Sequence, residues 1–332
     1  MRILVISNNP DRASFRQRIA IHLDALRLNG IESEIAKLPP GYLKRLRLFK
    51  TATEFDAVFL HKKCLNFFDA ALLRKYSRKI IYDFDDAIMY SPKNPASDMT
   101  SHFRLFRRTV KLSDMIIAGN CYLAEHAKRF NDNVKVLPTG LDTKAYNPEI
   151  RPRSNGKIRL VWIGSKSTLK YLAEIKPALE QTGERFSNVV LRIICDDFFD
   201  LENMEVEKCR WSLETQYADL AASHIGLAPL PDNRFTRGKC GFKILQYASA
   251  GLPVVASPVG VNCECVLEGI TGYHASQISQ WADKISELIN NIELTKKMGR
   301  EALKHAKKFD VSIVGNKLVE LIKETIQPSS FR

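Results

Sequence analysis

Short β-rich runs alternate with helix-patterned stretches from the first residues of this 332-residue chain. That alternation confines the fold to parallel sheets covered by helices on both faces. Arg2–Ser7, Ile31–Ala36, Ala57–Leu60, Lys79–Asp83, Met115–Ala118 and Val134–Leu137 read as strands. After Ala13, the apolar residues Ile19, Leu23, Leu26 and Leu28 have helical spacing. The pattern breaks at Tyr146–Lys157, which is rich in proline, glycine and charge and so reads as a linker. It restarts with Ile158–Ile163, a helix near Thr168–Gln181, and strands at Val189–Cys195, Ile225–Ala228 and Pro253–Ala256. Helices at Ser276–Asn290, Leu294–Phe309 and Val311–Ile326 close the chain. The expected organisation is an α/β chain of two doubly wound Rossmann-like domains, 1–147 and 158–309, with a linker at 148–157 and a final helical segment at 310–332. Two such domains would present a cleft where the carboxyl ends of their sheets face each other.

Composition narrows the setting. With 45% hydrophobic residues, the chain can bury a substantial core. Its net charge of +13, concentrated in the first half, invites nucleic acid, an anionic membrane surface or a phosphorylated substrate as partner. No nucleic-acid module is recognisable, and the cations are interleaved with core-type apolar positions, so nucleic acid is the weakest of the three. Seven scattered cysteines without CxxC spacing support neither zinc nor a disulfide framework. MRILVIS lacks a cleavage-type ending, and no apolar run is long enough to span a bilayer. The expectation is a cytoplasmic protein in a reducing compartment.

The most informative stretch is Pro229–Ala275. A basic loop (Arg237, Gly238, Lys239, Gly241, Lys243) runs into a short helix, Phe242–Ala250, and Gly251 stops it. A helix amino terminus with lysines beside it can seat a diphosphate; the alternative is an ordinary strand–loop–helix with solvated lysines. Gly164-Ser-Lys-Ser-Thr168 occupies a similar place after the strand that opens the second domain. There Ser165 and Thr168 either meet a phosphate or simply cap a helix.

Residues Gln246 to Gly260, with Glu264 and Gly269-Ile-Thr-Gly272, resemble the nucleotide-sugar site of group 1 (GT4-like) glycosyltransferases of the GT-B fold. The resemblance implies a donor site at Gly164, Ser165, Lys166, Thr168, Lys170, Lys239, Gly241, Lys243 and Gln246. It also implies retention at the anomeric carbon, a metal-independent reaction, and a last helix that crosses back to the first domain. The family's paired glutamates are missing, because Gly238 and Gln246 stand in their places. The nucleotide sugar would be a substrate, and no cofactor is implied.

Asp83-Phe-Asp-Asp86 ends a strand, and its three carboxylates need compensation. A divalent metal, an acceptor hydroxyl or catalytic base role, and pairing with Arg16, Arg18 or Lys62 all remain open. DFDDA, Asn120 and Pro138–Asp142 extend the resemblance to bacterial members of the group. On this reading Asp85, Asp86 and His61 are catalytic candidates, and Arg16, Arg18, Asp83 and Asn120 lie on the side of a glycan or lipid-linked acceptor. Two basic amphipathic stretches, Tyr42–Lys50 and His102–Leu112, would either lie on an anionic membrane or pack Leu46, Phe49, Phe103 and Phe106 against the sheet. Two alternatives stay beside glycosyl transfer: a scaffold that has lost catalysis, and a sugar-nucleotide epimerase.

Overall fold

The structure is a computed structural model that describes residues 1–92, 94–95, 100–146 and 156–327. Except for Gly156 and Lys157, the expected linker lies outside the described residues. The chain divides into two compact units. The first comprises Met1–Leu141, Asn233–Cys240 and Val311–Arg332; the second comprises Asp142–Asp232 and Gly241–Asp310.

The first unit is built on β1 (Arg2–Ser7), β2 (Glu32–Lys37), β3 (Ala57–His61), β4 (Ile80–Phe84), β5 (Met115–Ala118) and β6 (Val134–Val136). All pair in parallel, in the order β2-β1-β3-β4-β5-β6. The second unit holds β7 (Ile158–Ile163), β8 (Val189–Ile194), β9 (Glu205–Cys209), β10 (Ile225–Ala228), β11 (Val254–Ala256) and β12 (Gly272–His274). These are also parallel, in the order β12-β11-β10-β7-β8-β9. The central strands are buried on both faces, which is why they read as nearly continuous apolar runs. The alternation missed β9 and β12. One is an edge strand with three charged residues and no buried one, and the other has only three residues.

The helix Val311–Ile326 belongs to the first unit. Its Val314, Leu318, Val319, Leu321 and Ile322 join Ile3, Val5, Phe15 and Leu26 in one apolar cluster. The apolar stripes of Tyr42–Thr51 and Ser101–Leu112 also face inward: Phe49 and Phe106 are buried beside Tyr82 and Phe84, and Phe103 packs against them. Those buried residues therefore belong to the core, while Tyr42 and Leu43 at the start of the first helix remain exposed. Among the described residues, no helix is long and apolar enough to cross one.

His22 sits where the closing helix docks. A methyl group on Gly140 would approach His22 to 3.2 Å, and one on Gly315 would approach its Nδ1 to 3.2 Å. That Nδ1 is buried without a hydrogen-bond partner. Burial, reinforced by the Arg18 charge, lowers the imidazole from the usual 6.5 to about 4. The unfolded chain then binds a proton that the folded chain refuses, so stability should be lost as the pH falls from 6.5 towards 4. Urea unfolding at pH 7 and pH 5 should differ by about 2 kcal/mol from this group, a difference that His22→Leu removes.

Candidate functional site

In the first sheet β2 lies on one side of β1 and β3 to β6 on the other. Winding therefore reverses between β1 and β3, and the carboxyl ends there form the usual ligand-binding edge of such a sheet. The chemistry-bearing side chains of this unit gather at that edge. Ser14 and Arg18 follow β1, His61 ends β3, and Asp83, Asp85 and Asp86 run through and past the end of β4.

The lower layer of this cluster is buried. His61 Nδ1 lies 3.0 Å from Asp83 Oδ2. A carboxylate only accepts, so Nδ1 carries the proton and Nε2 is left as an acceptor. Ser14 Oγ lies 3.2 Å from that Nε2. Arg18 grips Asp83 through two nitrogens and donates through the third to the Leu137 carbonyl at 2.7 Å. Phe15 meets the His61 ring edge-on, 5.9 Å away, and fixes its plane. Burial alone would raise the Asp83 carboxyl, but the Arg18 charge and the His61 hydrogen bond outweigh it and hold the group at about 2.

The upper layer is half-exposed. Lys62 adopts a positive φ of 56°, a strained conformation for a side-chain-bearing residue. Its N–H donates to the Asp83 carbonyl at 2.7 Å. Its ammonium donates to Ser14 Oγ at 3.3 Å, meets Asp85 at 2.8 Å and also bonds Asp86. Burial would lower this ammonium, but Asp85 and Asp86 raise it. Ser14 Oγ also lies 3.3 Å from both Asp85 oxygens. Lys239 Nζ donates to Asp86 at 2.8 Å. Burial would raise Asp86, yet Lys239 and Lys62 together lower it.

The segment carrying Lys239 is tied to this unit. Asn120 caps the helix Cys121–Lys128 through Oδ1 and donates through Nδ2 to the Gly238 and Lys239 carbonyls, at 3.3 and 3.1 Å. Cys240 Sγ donates to the Asp85 carbonyl at 3.1 Å. A side chain at Gly238 would begin 2.6 Å from Ala87 Cβ and 2.8 Å from its nitrogen, so none fits. This explains a glycine at the position where the resemblance led to the expectation of a glutamate. Arg16 donates to the Asp11 carbonyl at 2.6 Å. Every carboxylate of the Asp83–Asp86 run thus has a cation, and among the described residues no cluster of three metal-ligand types is assembled.

In the second sheet the winding reverses between β7 and β10. After β7, Ser165 is the N-cap of the helix Lys166–Ala173, and its N–H donates to Thr168 Oγ1 at 3.2 Å. Gly164 fits only as glycine, since a Cβ would lie 2.4 Å from the Trp162 ring. Lys166 pairs with Asp197 at 3.0 Å, and Lys170 lies over the Tyr171 ring at 5.2 Å. After β10, Gly241 takes a left-handed φ of 65° and opens the helix Phe242–Ser249. Lys243 lies 4.4 Å over the Trp162 ring, and that contact carries it towards β7. Gln246 is buried and donates to the Tyr146 hydroxyl at 3.1 Å and to Gln216 at 3.3 Å, while Gln216 also accepts from Trp211. A cavity of about 300 Å³ opens at the ends of β10 and β11 among Glu174, Pro229, Asp232, Ser257 and Trp281. Its lining includes two acids and no cation, which makes it a poor seat for a diphosphate.

The structure therefore groups Gly164, Ser165, Thr168, Gly241, Lys243 and Gln246 in one unit. His61, Asp83, Asp85, Asp86, Arg18, Asn120 and Lys239 belong to the other. Ser14 was missed by sequence reasoning. Only its place shortly after β1, in the first turn of the helix Ala13–Arg18, hinted at it, and a lone serine carries no spacing signal.

Residues 129–291 match the family model of the group 1 glycosyl transferases. The D-inositol 3-phosphate glycosyltransferase of Arthrobacter sp. is 24% identical over 211 residues, which is 56% of this chain and 49% of that protein. The chain thus spans about half the length of this relative. Anabaena Alr3699/HepE, solved in complex with UDP, superposes with a TM-score of 0.72 at 18% identity, covering 98% of this chain and 100% of that one. A glycosyltransferase from Rickettsia africae superposes with a TM-score of 0.75 at 14% identity, covering 99% of each chain.

Two variants test the local account. Asp83→Asn strands a buried guanidinium and should cost about 3–5 kcal/mol in denaturant unfolding. In the parent chain the same carboxylate should make stability fall as pH drops from about 4 to 2, where Asp83 takes up its proton. Gly238→Ala should cost about 1–3 kcal/mol through the clash with Ala87; an unchanged midpoint would contradict the packing.

Proposed function

We propose that this chain, which matches the group 1 glycosyltransferase model over residues 129–291 and has the GT-B fold, moves a sugar from a nucleoside-diphosphate sugar to a hydroxyl of a glycan or glycolipid acceptor. The observation that carries this reading is a hydroxyl already seated at the edge of the first sheet. Ser14 Oγ is held by the imidazole Nε2 of His61, the carboxylate of Asp85 and the ammonium of Lys62. Those are the groups an acceptor hydroxyl needs in order to be oriented and to lose its proton.

In this mechanism the acceptor oxygen forms the new bond to the anomeric carbon as that carbon's bond to the diphosphate breaks. The acceptor proton passes to Ser14, and Ser14's own proton passes to His61 Nε2. Asp83, shared with Arg18, steadies the resulting imidazolium. Asp85 orients the acceptor. Asp86 is committed to Lys62 and Lys239, which leaves it a poor base. In the second unit the Gly164–Thr168 loop, the start of the helix at Gly241 and Lys243 receive the charge that develops on the leaving diphosphate, the largest electrostatic demand of the step. Gln246 meets the ribose. The resemblance supports retention at the anomeric carbon and transfer without a metal, and it implies no resident cofactor. The Anabaena structure makes uridine the first base to test.

Seven free thiols among the described residues suit a reducing, cytoplasmic setting. The scaffold alternative drew on Gly238 and Gln246, and the first of these has a packing explanation. No observation favours the epimerase.

The direct test is melting in the presence of nucleoside diphosphates, followed by diphosphate release with glycolipid acceptors. A specific ligand at a hundred times its Kd should stabilise the chain by about 2.7 kcal/mol. Lys243→Ala should weaken diphosphate binding. Ser14→Ala and His61→Asn should each lower kcat by about 100-fold while sparing donor KM. Donor binding with no turnover on any acceptor would favour the scaffold, and donor conversion without acceptor would favour the epimerase.

A further inference from the structure

Four large apolar side chains of the first unit project into solvent at one place. Tyr42 and Leu43 open the helix Tyr42–Thr51 and are 53% and 68% exposed; Phe67 and Phe68 open the helix Phe67–Tyr76 and are 65% and 66% exposed. An ion pair of 2.6 Å between Arg45 and Asp69 bolts the first turns of these two helices together. The two phenylalanine rings stack edge to face, with centroids 5.6 Å apart. From the helix Ser101–Leu112, Arg108 reaches to within 6.0 Å of the Phe67 ring and donates to the Leu65 carbonyl at 3.4 Å. The result is a ridge spanning two helix ends, with a third helix supplying a cation beside it.

Among the described residues of these helices, the exposed charge beside the ridge is cationic. Lys44, Arg47 and Arg104 are exposed and Lys63 is half-exposed. Neither Tyr42–Thr51 nor Ser101–Leu112 contains an acid. Asp69, the acid nearest the ridge in sequence, is buried against Arg45. The helix amino termini add partial positive charge. Aromatic and aliphatic side chains standing out of a cationic collar match the region where acyl chains meet anionic headgroups.

We propose that this ridge docks the protein on an anionic lipid bilayer, with Leu43, Phe67 and Phe68 entering the headgroup region and Lys44, Arg47, Lys63 and Arg104 meeting lipid phosphates. The contact is end-on, through helix termini, and differs from the side-on contact that the amphipathic stripes suggested, since Phe49 and Phe106 of those stripes are core. Helices of a doubly wound sheet start at the carboxyl edge of its strands. Docking would therefore turn the edge carrying Ser14, His61 and Asp85 towards the lipid–water boundary. The inference rests on this surface alone and stands whether or not that edge transfers sugar.

The test is sedimentation of the full chain with vesicles of phosphatidylcholine alone or mixed with phosphatidylglycerol. Binding to the mixed vesicles should be at least about tenfold tighter and should weaken with added salt. The triple variant Leu43→Ser, Phe67→Ser, Phe68→Ser should lose about tenfold or more in affinity, with an unchanged thermal midpoint because all three positions are exposed. Lys44→Glu with Arg47→Glu should lose the preference for the anionic lipid. Leu213→Ser with Ile313→Ser, exposed elsewhere, should bind like the parent. Parent chain that stays in the supernatant with mixed vesicles overturns the proposal. So does a triple variant that binds as tightly as the parent, or a self-association abolished by the triple variant without any vesicle binding.

Discussion

The buried contact of Arg18, Asp83 and His61 is what the edge of the first unit depends on. It ties the segment after β1, the ends of β3 and β4, and the carbonyl of Leu137 into one unit. A guanidinium and a carboxylate removed from water hold together only if both are fully paired, and here the three arginine nitrogens and both carboxylate oxygens have partners. The consequence reaches the surface. Because Asp83 accepts from Nδ1, the other nitrogen of His61 is turned towards Ser14 as an acceptor, and the strained Lys62 beside it feeds its ammonium into the same spot.

The segment Asn233–Cys240 adds a second constraint. Sequence position assigns it to the second domain, but its contacts assign it to the first unit. Asn120 holds its carbonyls, Gly238 lets its backbone lie against Ala87, and Lys239 shares Asp86 with Lys62. A cation expected to face a diphosphate is thus joined to the acidic cluster. In the proposed mechanism the diphosphate role then rests on Lys243 and the two loop–helix starts of the second unit.

Much of the fold was legible because central parallel strands are apolar on both faces. Ile80–Phe84 and Leu160–Ile163 announce themselves in a way that the charged edge strand Glu205–Cys209 does not. The GT-B fold and the likeness to group 1 glycosyltransferases followed from the Gln246–Gly260 block and its flanking glycines. The partners of individual side chains were harder to read. Arg18 looked like a ligand-binding cation at a helix start, yet it is buried on a carboxylate 65 residues away in sequence. Asn120 looked acceptor-facing, but it spends its amide on capping and on the Gly238 and Lys239 carbonyls. Ser14 carried no spacing signal, because its role comes from three strand ends that only the fold brings together. The amphipathic stretches left core and membrane open for a related reason: helical spacing shows that a face is apolar but not what covers it, and Phe49 and Phe106 prove to be core.

The central claim is that the buried pair forces His61 to present a bare Nε2 to the hydroxyl at the surface. Nitrogen-15 NMR of the imidazole, at a pH where the ring is neutral, reads this directly. The account predicts the tautomer protonated at Nδ1, with an Nε2 resonance that shifts when Ser14 is replaced by alanine. A ring protonated at Nε2, indifferent to that replacement, would contradict it.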